Sequence, residues 1–245
     1  MLARAFKAGV SHIILTGTTF EGSARSGQIA ESDATRLSFT AGIHPHYANQ
    51  WTRQSASMFE PLWDKSGCVA VGECGLDYFR ELSSKEQQRS AFEAQLRAAL
   101  DRKLPVFLHC RDAFTDFKPM IADFVAQGGR GVVHCFTGSQ SEAQAFQALG
   151  LHIGVTGWVT ERERGKQLRE AVRHVAADKL HIETDAPYLV PRNRQESAKG
   201  RHRNEPAYLE WVAREVAALR GVPLAALKQQ CEANSRSLFG LVTPA

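Results

Sequence analysis

Acidic and imidazole side chains follow several short, mainly apolar runs of this sequence, each at the same relative position. The residues that follow these runs are Glu73, His109, His134 and the pair Glu183 and Asp185. If the runs are strands of a parallel sheet, these side chains lie at its carboxyl-terminal edge. The pattern therefore predicts that they form one shared site.

A divalent metal ion is the partner that such a set of side chains favours. A buried carboxylate or imidazole without a partner is destabilising by several kcal/mol, and a metal ion neutralises carboxylates while it accepts imidazole lone pairs. Glu183 and Asp185 both point to the same side if the strand continues through them. One can then bind metal while the other holds a water or orients a histidine. The alternative is that each residue is an ordinary capped or solvated strand end.

Two histidines end a further apolar run. His44 and His46 lie on either side of Pro45. Because proline restricts the backbone angle φ, this turn is stiff and suits a preorganised site. An ordinary loop with solvated histidines is the alternative.

The elements that must position these residues alternate between short strands and amphipathic helices. Strands are predicted at 12–16, 37–43, 68–72, 106–109, 131–134, 152–155 and 180–183, and helices at 1–9, 22–31, 84–102, 114–127, 141–149 and 161–176. This alternation predicts an α/β fold with a parallel sheet. Because the polar residues come from the ends of many strands, we expect a (β/α)8 barrel and not an open sheet. We expect the first strand of this barrel to be missing from this chain.

Composition limits the class of protein. With 245 residues, 43% of them hydrophobic and 23% charged, the chain is not collagen-like, disordered or membrane-spanning. Without a break in composition, we expect one domain over residues 1–245, and the N-terminus does not resemble a signal peptide. Five cysteines without a C-x-x-C pair indicate reduced thiols and a cytoplasmic protein. The net charge of +4 permits an anionic partner.

The motifs that carry these residues resemble, in order, those of the TatD family of metal-dependent nucleases. They are GIHPH, GECGLDY, LHCRDA, HCFTG, IETDAPYL and RNEP, and they span nearly the whole chain. The resemblance implies a TIM barrel of the amidohydrolase-like type. It also implies a 3′–5′ exonuclease that acts on single-stranded DNA and RNA, with a role in DNA repair.

The resemblance implies a role for each residue of the predicted site. The implied metal ligands are Glu73, His109, His134 and Asp185, of which Glu73 bridges and Asp185 also holds the attacking water. The implied catalytic residues are Asp185, Glu73 and Glu183, and the implied substrate contacts include His44 and His46. Since two imidazoles and several oxygens make up this set, we expect Mg²⁺, with Mn²⁺ or Zn²⁺ as alternatives.

Cations and aromatic residues near the predicted strand ends suit a single-stranded nucleic acid. Arg111 is expected to contact phosphate, with a salt bridge to Asp112 or Asp77 as its alternative role. A basic segment runs from Arg192 to Arg203, and Arg203 is its predicted substrate contact. The candidates for stacking on bases are Tyr78, Phe79, Trp158 and Tyr188, of which Phe79 and Trp158 are equally well explained as core residues.

The missing first strand is the main departure from the family pattern. Many TatD proteins carry an H-x-H motif on that strand, so its absence brings the more strongly held metal into question. Two unpaired strand edges are unfavourable. We therefore expect a monomer with a distorted seam or a dimer that covers the seam.

Two other functions stay open at this point. The same barrel and ligands can hydrolyse an ester or amide, for example the ester bond of an aminoacyl-tRNA, because a fold does not determine the substrate. A non-catalytic remnant is the other alternative.

Overall fold

The computed structural model describes residues 1–194 and 203–241. Strands and helices alternate along the chain. The chain divides into two compact units. The first unit is His12–His134 with the segment from Arg236, and the second is Met1–Ser11 with Cys135–Ser235.

The first unit contains five parallel strands that pair in chain order. These strands are β1 (Ile13–Leu15), β2 (Leu37–Ala41), β3 (Cys68–Asp77), β4 (Val106–Arg111) and β5 (Gly131–Val133). The helices between them are α2 (Phe20–Glu31), α3 (Ser55–Trp63), α4 (Lys85–Arg102) and α5 (Phe114–Ala126), with a 3-10 helix at Pro45–Gln50.

Burial explains why the strands of the first unit are apolar. Every residue of β2 and of β3 is buried, as is typical of parallel strands that are covered on both faces. Val69, Phe107 and Val132 come from three neighbouring strands and pack with Leu238 and Phe239. This core holds the strands whose carboxyl ends carry the predicted site residues.

Strand β3 continues through Glu73 to Asp77, whereas the sequence predicted that it ends at residue 72. Its pairing with β4 shifts between Gly72 and Cys74, so that Glu73 lies in a bulge within the strand and not at its end. Gly75 has a φ of +144°, and a Cβ atom there would overlap the carbonyl oxygen of His109. Glycine therefore lets β3 approach β4 closely beside the site.

The second unit contains two parallel strands, β6 (His152–Val155) and β7 (Leu180–Ile182). Its helices are α1 (Leu2–Lys7), α6 (Gln140–Ala148), α7 (Lys166–Arg173) and α8 (Leu209–Arg220), and α9 (Leu224–Phe239) begins in it. His181 is buried in β7, where its Nε2 atom is 2.8 Å from Nδ1 of His152.

All seven predicted strands are present, and the largest differences concern helices. The helix predicted over 161–176 is shorter in the structure, where only α7 (Lys166–Arg173) is helical. Gly165 lies against the carbonyl oxygens of Trp158 and Glu161, and the helix begins after it. Helices α3, α8 and α9 were not predicted. Among the described residues, no helix combines the length and the apolar character that a membrane crossing requires.

Candidate metal centre

Glu73 lies at the centre of a group of imidazole rings in the first unit. Its Oε1 atom is 3.0 Å from Nδ1 of His109, 3.3 Å from Nε2 of His44 and 3.4 Å from Nε2 of His134. Glu73, His44 and His134 are buried, and His109 is partly buried. One carboxylate oxygen therefore faces three ring nitrogens.

The charges of this group stabilise one another. Burial alone would raise the pKa of Glu73, but His44 and His134, together with the hydrogen bonds from His109 and His44, hold that pKa well below its usual range. Burial also lowers the pKa of His44. The pKa of His109 is raised, because its hydrogen bonds to Asp77 and Glu73 outweigh its burial. Glu73 is thus a carboxylate, and together with Asp77 it favours the protonated form of His109.

This donor set fits a divalent metal ion. His44, Glu73 and His109 each offer a ligand atom, and these atoms lie within 4.8 Å of one another. Nε2 of His44 and Nδ1 of His109 are 3.3 Å apart, so two ring nitrogens converge on the same point as the carboxylate. Metal binding releases protons from ligands such as His109. Of the predicted ligands, the structure brings together Glu73, His109 and His134, and it adds His44.

Asp77 is part of this site, although the sequence analysis did not predict it as a site residue. Its Oδ2 atom lies 2.9 Å from Nε2 of His46 and 2.9 Å from Nε2 of His109. Its Oδ1 atom accepts the backbone N–H groups of Phe79 at 3.0 Å and Arg80 at 2.8 Å. Although burial opposes it, the bonds from His109, Arg80 and His46 lower the pKa of Asp77. The buried carboxylate therefore orients both rings.

The sequence does contain a signal for Asp77. Glu73 and Asp77 are four residues apart, a spacing that places two side chains on one face if a regular strand extends through both. His46, which was predicted to contact substrate, reaches the cluster through this carboxylate and not through Glu73.

Two buried glutamines of α4 hold the segments that carry the site. The amide of Gln88 pairs with the backbone of Asp77, with distances of 2.8 Å to its N and 3.0 Å to its O. The amide of Gln95 pairs in the same way with Ile43, the residue before His44, at 2.8 Å and 3.1 Å. The glutamines are two helical turns apart, so they share a helix face. Both are at most 1% exposed, and this burial of polar residues was not predicted.

Glu183 and Asp185 belong to the second unit. Glu183 lies over Gly154, and its Oε2 atom accepts the N–H of Cys135 at 3.1 Å. Strand β7 ends at Ile182, and Asp185 has a φ of +54°. The strand therefore does not continue through Glu183 and Asp185, and the expectation that strand geometry points both side chains to the same side was wrong. The roles of the two carboxylates stay predictions.

Asn204 organises the segment that carries Asp185. It is 1% exposed, and its amide nitrogen donates to the carbonyl oxygens of Thr184 and Tyr188, each at 2.7 Å. Its neighbour Arg203, the predicted phosphate contact, is exposed. Of the other cations in this basic segment, Arg192 pairs with Glu161 at 2.7 Å and Arg194 is buried. Lys199, Arg201 and His202 lie outside the described residues.

The remaining predicted positions occupy different environments. Arg111 forms an ion pair with Asp112 at 3.8 Å, which was its alternative role. Tyr78 is half-buried, and its hydroxyl donates to Asp116 at 2.7 Å. Phe79 is 59% exposed and Tyr188 is 69% exposed, so neither is a core residue.

Comparison with known proteins identifies relatives over nearly the whole chain. A family model described as TatD related DNase matches residues 1–240. The chain is 44% identical to the 3′–5′ ssDNA/RNA exonuclease TatD of Erwinia billingiae over 245 residues, which cover 98% of this chain and 92% of that protein. It is also 44% identical to the exonuclease of the same name from Edwardsiella piscicida, with the same coverage of both chains.

Solved structures agree with this relationship and confirm the predicted fold class. The TatD homologue YJJV of Escherichia coli K12 matches with a TM-score of 0.89 and 30% identity, over 98% of this chain and 91% of that one. A TatD family hydrolase of Entamoeba histolytica matches with a TM-score of 0.86 and 26% identity, over 98% and 88% of the two chains. This chain therefore belongs to the TatD family of DNases, as its motifs indicated.

Proposed function

We propose that this protein is a metal-dependent exonuclease that removes nucleotides from the 3′ end of single-stranded DNA and RNA. The observation that carries the proposal is the convergence of His44, Glu73 and His109, whose ligand atoms lie within 4.8 Å of one another. The names of the relatives, which are 3′–5′ ssDNA/RNA exonucleases, support the substrate and the polarity.

Glu73, His109, His134 and His44 are the residues that would hold the metal. A bound divalent ion polarises the phosphoryl oxygen and lowers the pKa of a water molecule. Mg²⁺ is the ion expected from the sequence. Because His44 adds a third imidazole, the donor set also suits Mn²⁺ or Zn²⁺, which accept nitrogen ligands more readily.

The other site residues act on water and on the phosphate. In this proposal Asp185 orients the attacking water and takes its proton, and Glu183 supports it from the same segment. Arg111 and Arg203 contact the phosphate backbone through their charge. His46, whose ring is held by Asp77, contacts the substrate. The roles of Asp185 and Glu183 rest on the resemblance to the family motifs.

The direct test uses single-stranded DNA and RNA labelled at one end. We expect Mg²⁺, Mn²⁺ or Zn²⁺ to support stepwise shortening from the 3′ end and EDTA to stop it. Protection of the 3′ end by a phosphorothioate linkage should block the reaction, whereas protection of the 5′ end should not. Shortening that continues in EDTA, or that starts at the 5′ end, would contradict the proposal.

A variant of Glu73 tests the centre itself. Glu73→Gln keeps the size of the side chain but removes the charge that faces three imidazoles, so we expect cleavage to be abolished while the circular dichroism spectrum is retained. Glu93→Gln on α4, where the side chain is 67% exposed, is the matched control and should keep full activity. Undiminished cleavage by a folded Glu73→Gln protein would exclude this centre as the active site.

A cytoplasmic location, a role in DNA repair and a dimer that covers the seam belong to the proposal as predictions. The five free cysteines support the first of them. Sedimentation of the purified protein tests the oligomeric state.

A further inference from the structure

Phe79 is an exposed aromatic ring that lies next to two guanidinium groups in the first unit. The side chain is 59% exposed. The guanidinium carbon of Arg111 lies 4.9 Å from the centroid of the ring, and that of Arg80 lies 5.9 Å from it. Both distances are within the range of cation–π contacts. The ring is therefore an open apolar surface with positive charge beside it.

This ring is tied directly to the candidate metal centre. One carboxylate oxygen of Asp77 accepts the N–H of Phe79 at 3.0 Å, and the other lies 2.9 Å from Nε2 of His109. A single buried side chain thus separates the backbone of Phe79 from a candidate metal ligand. Asp77 is held in turn by the amide of Gln88. The backbone of Phe79 is consequently held in a defined position relative to His109.

Packing does not account for Phe79. Its neighbour Tyr78 is half-buried and anchored through its hydroxyl to Asp116 at 2.7 Å. Phe79 instead exposes most of its side chain to solvent, so that a face of the ring is accessible to a ligand.

We propose that Phe79 is a stacking platform for an unpaired base of the substrate, with Arg111 and Arg80 supplying positive charge next to it. The inference rests on the proposed nuclease function and extends it to the recognition of single strands. Aromatic rings and guanidinium groups stack on any base, so such a site tolerates sequence changes. A base within a duplex is already stacked and paired, so the platform accepts only a strand whose bases are free. Phe79 is a specificity-determining residue in this proposal, not a catalytic one.

Hydrolysis of oligonucleotides that lack one base provides the first test. A single abasic residue is moved stepwise from the 3′ end, and kcat/KM is compared with that of the intact strand. At the position that meets Phe79, we expect the wild-type protein to prefer the intact strand by about 5- to 160-fold, the range that stacking on one aromatic residue supports. The Phe79→Ala variant should lose the preference for the intact strand, and the Phe79→Trp variant, which keeps an aromatic ring, should retain it.

A matched control separates stacking from a general effect on the loop. Leu82 is 62% exposed on the same connecting segment but has no ring. The Leu82→Ala variant should show the same preference for the intact strand as the wild type at each position of the abasic residue. If Leu82→Ala loses it as Phe79→Ala does, or if Phe79→Ala keeps it, the platform is excluded.

Binding in EDTA distinguishes failure of this inference from failure of the nuclease proposal. The affinity for labelled intact and abasic strands is measured by fluorescence anisotropy, with no metal and no cleavage. A preference that depends on Phe79 supports the platform even if no hydrolysis occurs, in which case only the nuclease proposal fails. Cleavage with no preference at any position overturns the platform and leaves the nuclease proposal intact. Absence of binding to any strand also overturns the platform.

Discussion

Replacement of Asp77 by asparagine is expected to weaken metal binding without unfolding the protein. In the wild type, Oδ2 lies 2.9 Å from Nε2 of both His46 and His109, while Oδ1 accepts two backbone N–H groups. The oxygen of an asparagine can keep both backbone bonds. Its amide nitrogen, however, donates where Oδ2 accepted, so Nε2 of His109 must become an acceptor.

That reversal moves the ring proton to the atom that a metal needs. A neutral imidazole that accepts at Nε2 carries its proton on Nδ1. Nδ1 of His109 is the atom that lies 3.0 Å from Glu73. Loss of a partner that orients a metal ligand typically weakens metal affinity or activity by about 10- to 100-fold, which equals about 1.4–2.8 kcal/mol.

Isothermal titration of the EDTA-stripped protein with Mn²⁺ measures this effect, and urea unfolding shows whether the variant is folded. Asp112→Asn is the matched control, because it makes the same change at the end of β4 on a side chain that is 60% exposed. We expect the control to bind Mn²⁺ as the wild type does. A folded Asp77→Asn protein with wild-type affinity would refute the argument that this carboxylate sets the tautomer of His109.

Two further predictions concern the second unit, measured in EDTA. Burial lowers the pKa of His181 to about 3 and that of His152 to about 4, from 6.5, so their contribution to stability is complete above pH 6.5 and is lost as the pH falls. For the wild type we expect these groups to lower the free energy of unfolding by about 2–4 kcal/mol between pH 7 and pH 4.5, with the smaller share from the partly exposed His152. The His181→Gln variant should show a smaller decline over this pH range. The exposed His174→Gln variant should decline as the wild type does. Asn204→Ala should lower the free energy of unfolding by about 2–4 kcal/mol, because it leaves buried carbonyl oxygens without their donor. The exposed Asn193→Ala should have little effect, and an equal loss in both asparagine variants would contradict the role given to Asn204.

Much of the candidate site could be predicted from local patterns. Glu73, His109 and His134 were found because each follows an apolar run, and the structure places the three within one cluster. For Asp185 the strand assumption was wrong, since β7 ends at Ile182, and the role of Asp185 stays a prediction.

The division of labour between His44 and His46 could not be predicted in this way. The two residues flank Pro45, and their types and spacing are equivalent in the sequence. In the structure, Nε2 of His44 lies 3.3 Å from Glu73, whereas Nε2 of His46 lies 2.9 Å from Asp77. The direction of each ring depends on the turn and on the residues that it meets across the unit.

The sequence alone determined the alternation of strands and helices, the family and the identity of most candidate ligands, because apolar periodicity and short motifs are local properties. Tertiary structure decided how those ligands meet. The bulge at Glu73, the close approach at Gly75 and the bond from Gln95 to Ile43, which are 52 residues apart in the chain, exist only when separate segments pack together. The geometry of a metal site depends on such long-range contacts, since differences of an ångström decide whether donor atoms converge.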